Sequence, residues 1–259
     1  MNESIQRMCN EIAEILNHKV HSIWLYGSVV LNDFRPGWSD IDFLALASEP
    51  ISQEQANTLL MLRQTLSARF KSNPFYRYFE GIIVNIEEYQ SGSYSRLVYW
   101  GTTGQRITNR HNSDVFARYE LAKYGKSVFG SADPGIFTVP DKSEMRAAIF
   151  QYYDAIRRFA LETDESLYSC GWLLDIARCV YTLRHHDVIG KTEAGLWALK
   201  THLFPDEQPL ERALAIRQAP LAFKDRPETR QWLKSLGPVV QRYADVLQAE
   251  LEEAEQHSL

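Results

Sequence analysis

Two aspartates one residue apart, Asp40 and Asp42, lie about eleven residues after Gly27-Ser28 in the run from Leu25 to Leu44. On a strand, residues i and i+2 point to the same face, so the two carboxylates converge on one spot. Facing carboxylates repel unless a cation lies between them. Hard oxygen donors of this kind suit Mg²⁺, which keeps several waters and takes substrate phosphates as further ligands. Gly27 lets backbone approach a phosphate closely, and the exposed amides and the Ser28 hydroxyl can donate to it. The pattern describes a site for a metal-bound nucleoside triphosphate. Phosphoryl or nucleotidyl transfer calls for a third carboxylate, either as a metal ligand or as the base for the attacking hydroxyl. Glu80, at the start of the apolar run 79–86, is the candidate. Two metals about 3.5–4 Å apart would stabilise the attacking and leaving oxygens, and pyrophosphate would depart.

These groups need a scaffold that ends one strand at Gly27 and starts another at Asp40. Residues 4–18 repeat apolar positions at helical spacing (Ile5, Met8, Ile12, Ile15, Leu16), predicting an amphipathic helix. Ser22 to Tyr26 reads as a strand that stops at Gly27-Ser28, residues 41–47 as a second, and 79–86 as a third, with a helix over 52–70 between the last two. That order predicts a small α/β domain with a mixed sheet and flanking helices. Residues 91–113, rich in Ser, Gly, Thr and Asn, read as a loop lining a cleft. Past residue 140 helical patterns take over, at 141–162, 166–186, 191–203, 208–219 and 227–254, which predicts a helical bundle. The expected organisation is α+β, with domains at 1–140 and 141–259.

Composition narrows the partners. The 259 residues carry 28 Lys+Arg against 33 Asp+Glu, a formal charge of −5, and lack the basic surplus that broad nucleic-acid binding needs. No apolar run approaches the roughly 20 residues of a membrane span, and Met1-Asn2-Glu3-Ser4 does not open a secretory signal, so the expectation is a cytoplasmic protein. Cys9, Cys170 and Cys179 form no C-x-x-C pair and read as small core residues. No long heptad pattern is present, so a monomer is expected.

Gly27-Ser28, Arg35-Pro36 and Ser39-Asp40-Ile41-Asp42 together resemble the nucleotidyltransferases of the DNA polymerase beta type. Within that group, Phe79-Glu80-Gly81-Ile82-Ile83-Val84, Asp175-Ile176-Ala177-Arg178 and Gly190-Lys191-Thr192-Glu193 are similar to the aminoglycoside adenylyltransferases that modify streptomycin and spectinomycin. The resemblance implies that ATP is a substrate, that Asp40 and Asp42 bind Mg²⁺, that Glu80 is the catalytic base and that Lys191 reaches the ATP phosphates. Lys191 follows Gly190, read as a helix C-cap, and would present its ammonium as a point charge. The implied acceptor is a hydroxyl of an aminoglycoside or aminocyclitol, giving antibiotic resistance. Trp100 matches a family aromatic in the acceptor region, and Asp154, Asp164 and Glu165 are acidic candidates for a cationic drug. The chain departs from the family at Arg217-Gln218-Ala219-Pro220, where a Tyr is expected after the alanine.

Two other readings compete. Arg178 and His185 match the Arg-x(4–6)-His spacing of HEPN ribonucleases, which accompany minimal nucleotidyltransferases in toxin–antitoxin pairs, although the interval is permissive. A regulatory nucleotide-binding protein would use the same cleft without transfer, but it would have no need of a base at Glu80.

Overall fold

The computed structural model describes residues 1–101 and 104–256. The chain divides into two compact units, one made of Met1–Val30 with Asp40–Val139, the other of Leu31–Ser39 with Pro140–Leu259.

The first unit runs α1 (Asn2–Ile15), β1 (Val20–Leu25), β2 (Ile41–Ala47), α2 (Gln53–Arg69), β3 (Phe79–Asn85), α3 (Ile86–Ser91), β4 (Leu97–Gly101), β5 (Gly104–Thr108), α4 (Val115–Tyr124) and β6 (Lys126–Gly130). Among the described residues the strands form one six-stranded sheet in the order β5-β4-β3-β2-β1-β6. β2 and β3 are parallel, joined by the crossover helix α2, and the other pairs are antiparallel. Strand alternation sorts the core into two faces. Phe43 and Trp100 lie on one, rings 5.3 Å apart, where the Trp100 indole N–H donates to the Leu59 carbonyl of α2 at 3.2 Å. Trp24, Leu44, Leu46, Ile82, Val84 and Leu97 form the other, closed by Leu121 of α4. Ser52 and Gln55 cap α2 reciprocally, satisfying donors that its first turn leaves open.

Residues 91–113 are therefore not the continuous loop expected from composition. Leu97 to Thr108 hold a hairpin, with Leu97 opposite Thr108 and Gly101 opposite Gly104. The short apolar and aromatic run Leu97-Val98-Tyr99-Trp100 carries a strand signal that the surrounding Ser, Gly and Asn obscure. Helix α4 and strand β6 also lie outside the elements read from sequence.

The second unit holds α5 (Lys142–Phe159), α6 (Tyr168–His185), α7 (Lys191–Lys200), α8 (Gln208–Gln218), α9 (Pro220–Phe223), α10 (Pro227–Lys234) and α11 (Gly237–Gln256). Asp141 and Glu144 form a capping box that starts α5. Helix α6 is the centre of the bundle: Cys170, Leu173, Leu174, Ile176, Ala177, Cys179 and Val180 are buried on it. Cys9, Cys170 and Cys179 are all buried outside any disulfide, and burial raises Cys9 and Cys170 to about 12, which keeps them protonated. The helix expected at 227–254 is two helices. Gly237 packs against the Leu161 carbonyl, where a Cβ would overlap, its N–H donates to Thr163 Oγ1 at 3.1 Å, and Pro238 follows in the first turn of α11.

The short segment Leu31–Ser39 also belongs to the helical unit, so the boundary at residue 140 separates the two parts incompletely. Asp33 is the reason. Its carboxylate, 4 % exposed, accepts from the Thr192 N–H at 3.1 Å, the Thr192 hydroxyl at 2.5 Å and the Arg217 guanidinium at 2.8 Å. It thus caps α7 from a distant part of the chain. Gly190 makes room, because a Cβ there would press on Asp33 at 2.8 Å. Gly190 is the N-cap of α7 rather than the C-cap of α6; His186, in the left-handed region, ends α6. Trp38 completes the anchor, with Arg217 over its ring at 5.3 Å.

Candidate active site

The site is built on the ends of four strands in the first unit. Register places Asp42 opposite Glu80 on the parallel pair β2 and β3. Leu25 pairs with Phe43, so Tyr26 comes next to Asp42, and the Tyr26 N–H donates to the Asp42 carbonyl at 3.1 Å. From β4, on the far side of β3, Tyr99 extends its hydroxyl to Glu80 Oε1 at 3.3 Å. Tyr26, Asp42 and Glu80 therefore form a row across the sheet, and Tyr99, paired with Ile82 on the same face, reaches that row through its hydroxyl. They stand just beyond the apolar layer of Trp24, Leu44, Ile82 and Leu97, whose alternation sets the same face.

After β1 the chain enters a 3-10 turn over Gly27–Val29, with Gly27 at φ +67. A side chain at Gly27 would overlap Asp42 Oδ2, so the glycine backbone lies directly against that carboxylate. The Ser28 hydroxyl donates to the Asp40 carbonyl at 3.3 Å, tying the turn to the entry of β2. Gly27, Ser28, Asp40, Asp42 and Glu80 thus gather as the sequence anticipates, and the three carboxylates are half-buried.

Charge around the row is uneven. Burial pushes the Tyr26 phenol well above its ordinary value, and Asp42, Glu120, Asp114 and Glu80 add to the rise. Burial draws the Arg63 guanidinium down from its ordinary value, against the pull of Glu80, Asp40 and Tyr99. Arg63 itself donates to the Phe79 carbonyl at 2.8 Å and to Gln105 at 3.2 Å. The donor set fits a hard divalent cation: Asp40 and Asp42 offer oxygens only, and Gly27 keeps side-chain bulk away from Asp42 Oδ2. Among the described residues, no group of three or more His, Cys, Asp or Glu could hold a metal ion.

The other sequence candidates separate. Trp100 is 0 % exposed inside the sheet core and is a packing group, not an acceptor contact; strand alternation turns it away from the face that carries Glu80. Asp154 pairs with Arg158 at 2.8 Å on the surface of α5. Asp164 is exposed and accepts from the Ser166 N–H at 2.9 Å and the Ser169 hydroxyl at 2.9 Å, shaping the turn before α6, beside the exposed Glu165. In the helical unit Lys191, the first residue of α7, donates to Asp175 Oδ2 at 3.0 Å. Arg178 also meets Asp175, at 3.4 Å, whereas His185 stacks on Tyr181 with ring centroids 4.1 Å apart. Sequence reasoning missed Tyr26 and Tyr99. Their signal was period-2 spacing onto the face of Asp42 and Glu80, legible only once β4 is recognised as a strand.

No helix among the described residues is long and apolar enough to cross a membrane. No curated protein matches the sequence. The nucleotidyltransferase domain family matches residues 9–89, and the aminoglycoside adenylyltransferase C-terminal domain matches residues 136–250. Among solved structures, the spectinomycin adenyltransferase AAD(9) from Enterococcus faecialis, crystallised with ATP and spectinomycin, is similar at a TM-score of 0.63 and 19% identity, over 93% of this chain and 97% of that one. The likeness carries the fold over nearly the whole length, and the two domain matches fall on the sheet-bearing half and the helical half. The chain therefore belongs to the aminoglycoside adenylyltransferase type of nucleotidyltransferase.

Proposed function

We propose that the protein transfers AMP from ATP to a hydroxyl of an aminoglycoside or aminocyclitol of the streptomycin and spectinomycin type, and that Mg²⁺ serves the reaction. The observation that carries this is the in-register placement of Asp42 and Glu80 on neighbouring parallel strands, with the Gly27 turn against Asp42. Asp40 and Asp42 would hold Mg²⁺, which when bound neutralises charge on the triphosphate. The Gly27-Ser28 turn supplies amide donors to phosphate oxygens, and the Ser28 hydroxyl would donate there by turning from the Asp40 carbonyl. Glu80 takes the proton as the acceptor O–H breaks, the oxygen bonds to the α-phosphorus of ATP, and the bond to pyrophosphate breaks. The Lys191 ammonium is a phosphate ligand, with Asp175 holding it ready. The enzyme acts as a cytoplasmic monomer on small molecules.

The test is pyrophosphate release and product mass across streptomycin, spectinomycin, kanamycin-type drugs, lincosamides and a blank, with Asp42→Asn as control. An adduct of AMP on streptomycin or spectinomycin, absent from the control, is expected. ATP binding that needs Mg²⁺ but leads to no adduct would favour the nucleotide sensor, and RNA cleavage dependent on Arg178 and His185 would favour the ribonuclease.

Gly27→Ala should impair the same site. The left-handed backbone there disfavours any side chain by about 1–2 kcal/mol, and the added methyl overlaps Asp42 Oδ2. Titration calorimetry should find Mg²⁺-dependent ATP affinity weakened by about tenfold or more. Unchanged affinity would remove Gly27 from the phosphate site.

A further inference from the structure

We infer that Tyr99 is a positioning residue for Glu80, holding Oε1 so that Oε2 is the oxygen that receives the acceptor's proton. The inference rests on the reading of Glu80 as the base. A glutamate's terminal torsion is broad and nearly two-fold, so a carboxylate at a strand end has no orientation of its own. The Tyr99 hydroxyl donates to Oε1 at 3.3 Å, at the long end for a hydrogen bond between oxygens and of the kind that tightens when substrate binds. Three features hold Tyr99 itself in place. Its backbone pairs with Ile82 of β3 and Arg106 of β5, so its position along the sheet is fixed from both sides. The Arg106 guanidinium lies over its ring, 4.1 Å from the centroid. Gly101 vacates the space the hydroxyl needs, because a Cβ there would overlap the Tyr99 Oη.

The consequence for the reaction is geometric. With Oε1 engaged, proton transfer runs from the acceptor hydroxyl to Oε2 while the acceptor oxygen bonds to the α-phosphorus and pyrophosphate leaves with the electrons of the broken P–O bond. Loss of the phenol frees the carboxylate to rotate, and misplacement by about an ångström can cost on the order of a hundredfold in rate.

Steady-state kinetics with ATP, Mg²⁺ and the acceptor turned over fastest in the panel test this. Tyr99→Phe should lower kcat by roughly tenfold to a hundredfold while leaving KM for ATP and acceptor near the parent values. In a Glu80→Gln background, Tyr99→Phe should change nothing further, because the oriented group is gone. Gly101→Ala provides a second route, displacing the hydroxyl while keeping the tyrosine, and should reproduce the kcat loss. Parent-like kcat in both variants overturns the inference, as does an equal loss from Tyr99→Phe with Glu80 present or replaced, since that marks a structural role. Full activity in Glu80→Gln alone, or no turnover of any acceptor by the parent protein, refutes the reading on which the inference depends.

Discussion

Glu80→Gln should bind ATP with nearly parental affinity and lose turnover by about two to four orders of magnitude, the usual range for removing a positioned general base. The amide is close in size to the carboxylate, so packing beside Asp42 and beneath Tyr99 is kept. Only the capacity to take a proton goes. The register of β2 with β3 explains why the two acidic groups should separate in their effects although they are neighbours. In the proposed reaction Asp42→Asn removes a charge that would face metal and phosphate, so it should weaken Mg²⁺-dependent ATP binding as well as turnover. Glu80→Gln should act on kcat alone. Binding by equilibrium titration and single-turnover AMP transfer distinguish the two, and an active Glu80→Gln enzyme would defeat the base assignment.

Arg217→Met should be the most destabilising single substitution considered for the helical unit. Arg217 and Asp33 are 2 % and 4 % exposed, and removing this cation leaves the buried carboxylate with the Thr192 hydrogen bonds and with the partly exposed Arg35, 3.5 Å from Oδ1, as its remaining cation. Breaking a buried pair costs about 3–5 kcal/mol when it leaves the charge alone, and with Arg35 still beside Asp33 the lower end applies, which should lower the unfolding midpoint by roughly 10 °C in a protein of this size. Burial by itself would raise the Asp33 carboxyl, but the charge of Arg217 and the hydrogen bonds from Thr192 and Arg217 outweigh it and hold the group below its ordinary value. A depressed carboxyl contributes stability fully above its unfolded pKa, and that contribution is lost as pH falls through the folded value. In Arg217→Met the balance reverses, because burial then favours the protonated acid. The stability gap between parent and variant should therefore narrow on acidification, as denaturant melts at a series of pH values would measure. A gap that widens would contradict the pairing.

The legible part of the molecule is the part where local pattern and tertiary role agree. Strands β1 and β2 were readable because Gly27 and the Asp40-Ile41-Asp42 alternation mark their ends, and Glu80 because an apolar run follows it. The long helices showed their buried stripes. The hairpin of β4 and β5 was not readable from composition, and with it went the role of Tyr99 and the true place of Trp100. Those two neighbours in sequence face opposite sides of the sheet, one toward Glu80 and the other toward Leu59. Choosing which of two adjacent aromatics meets the chemistry requires the register, since a shift of one residue exchanges them. The split before Gly237 has a local signal in Gly237-Pro238, since proline disfavours helix at the preceding residue and is at home in a first turn, but the apolar spacing on either side masks it.

The anchoring of Asp33 also bears on how the gene can be cut. Leu31–Ser39 is encoded between the Gly27-Ser28 turn and Asp40, yet it folds with helices that begin more than a hundred residues later. A fragment ending at residue 139 would keep Gly27-Ser28 and Asp40-Ile41-Asp42 while stranding Asp33 and Trp38 without the helices that receive them. The two halves are thus not interchangeable cassettes. Swapping the helical half for another by recombination would have to carry residues 31–39 along with it, which needs two crossovers inside the first forty codons as well as one near residue 140.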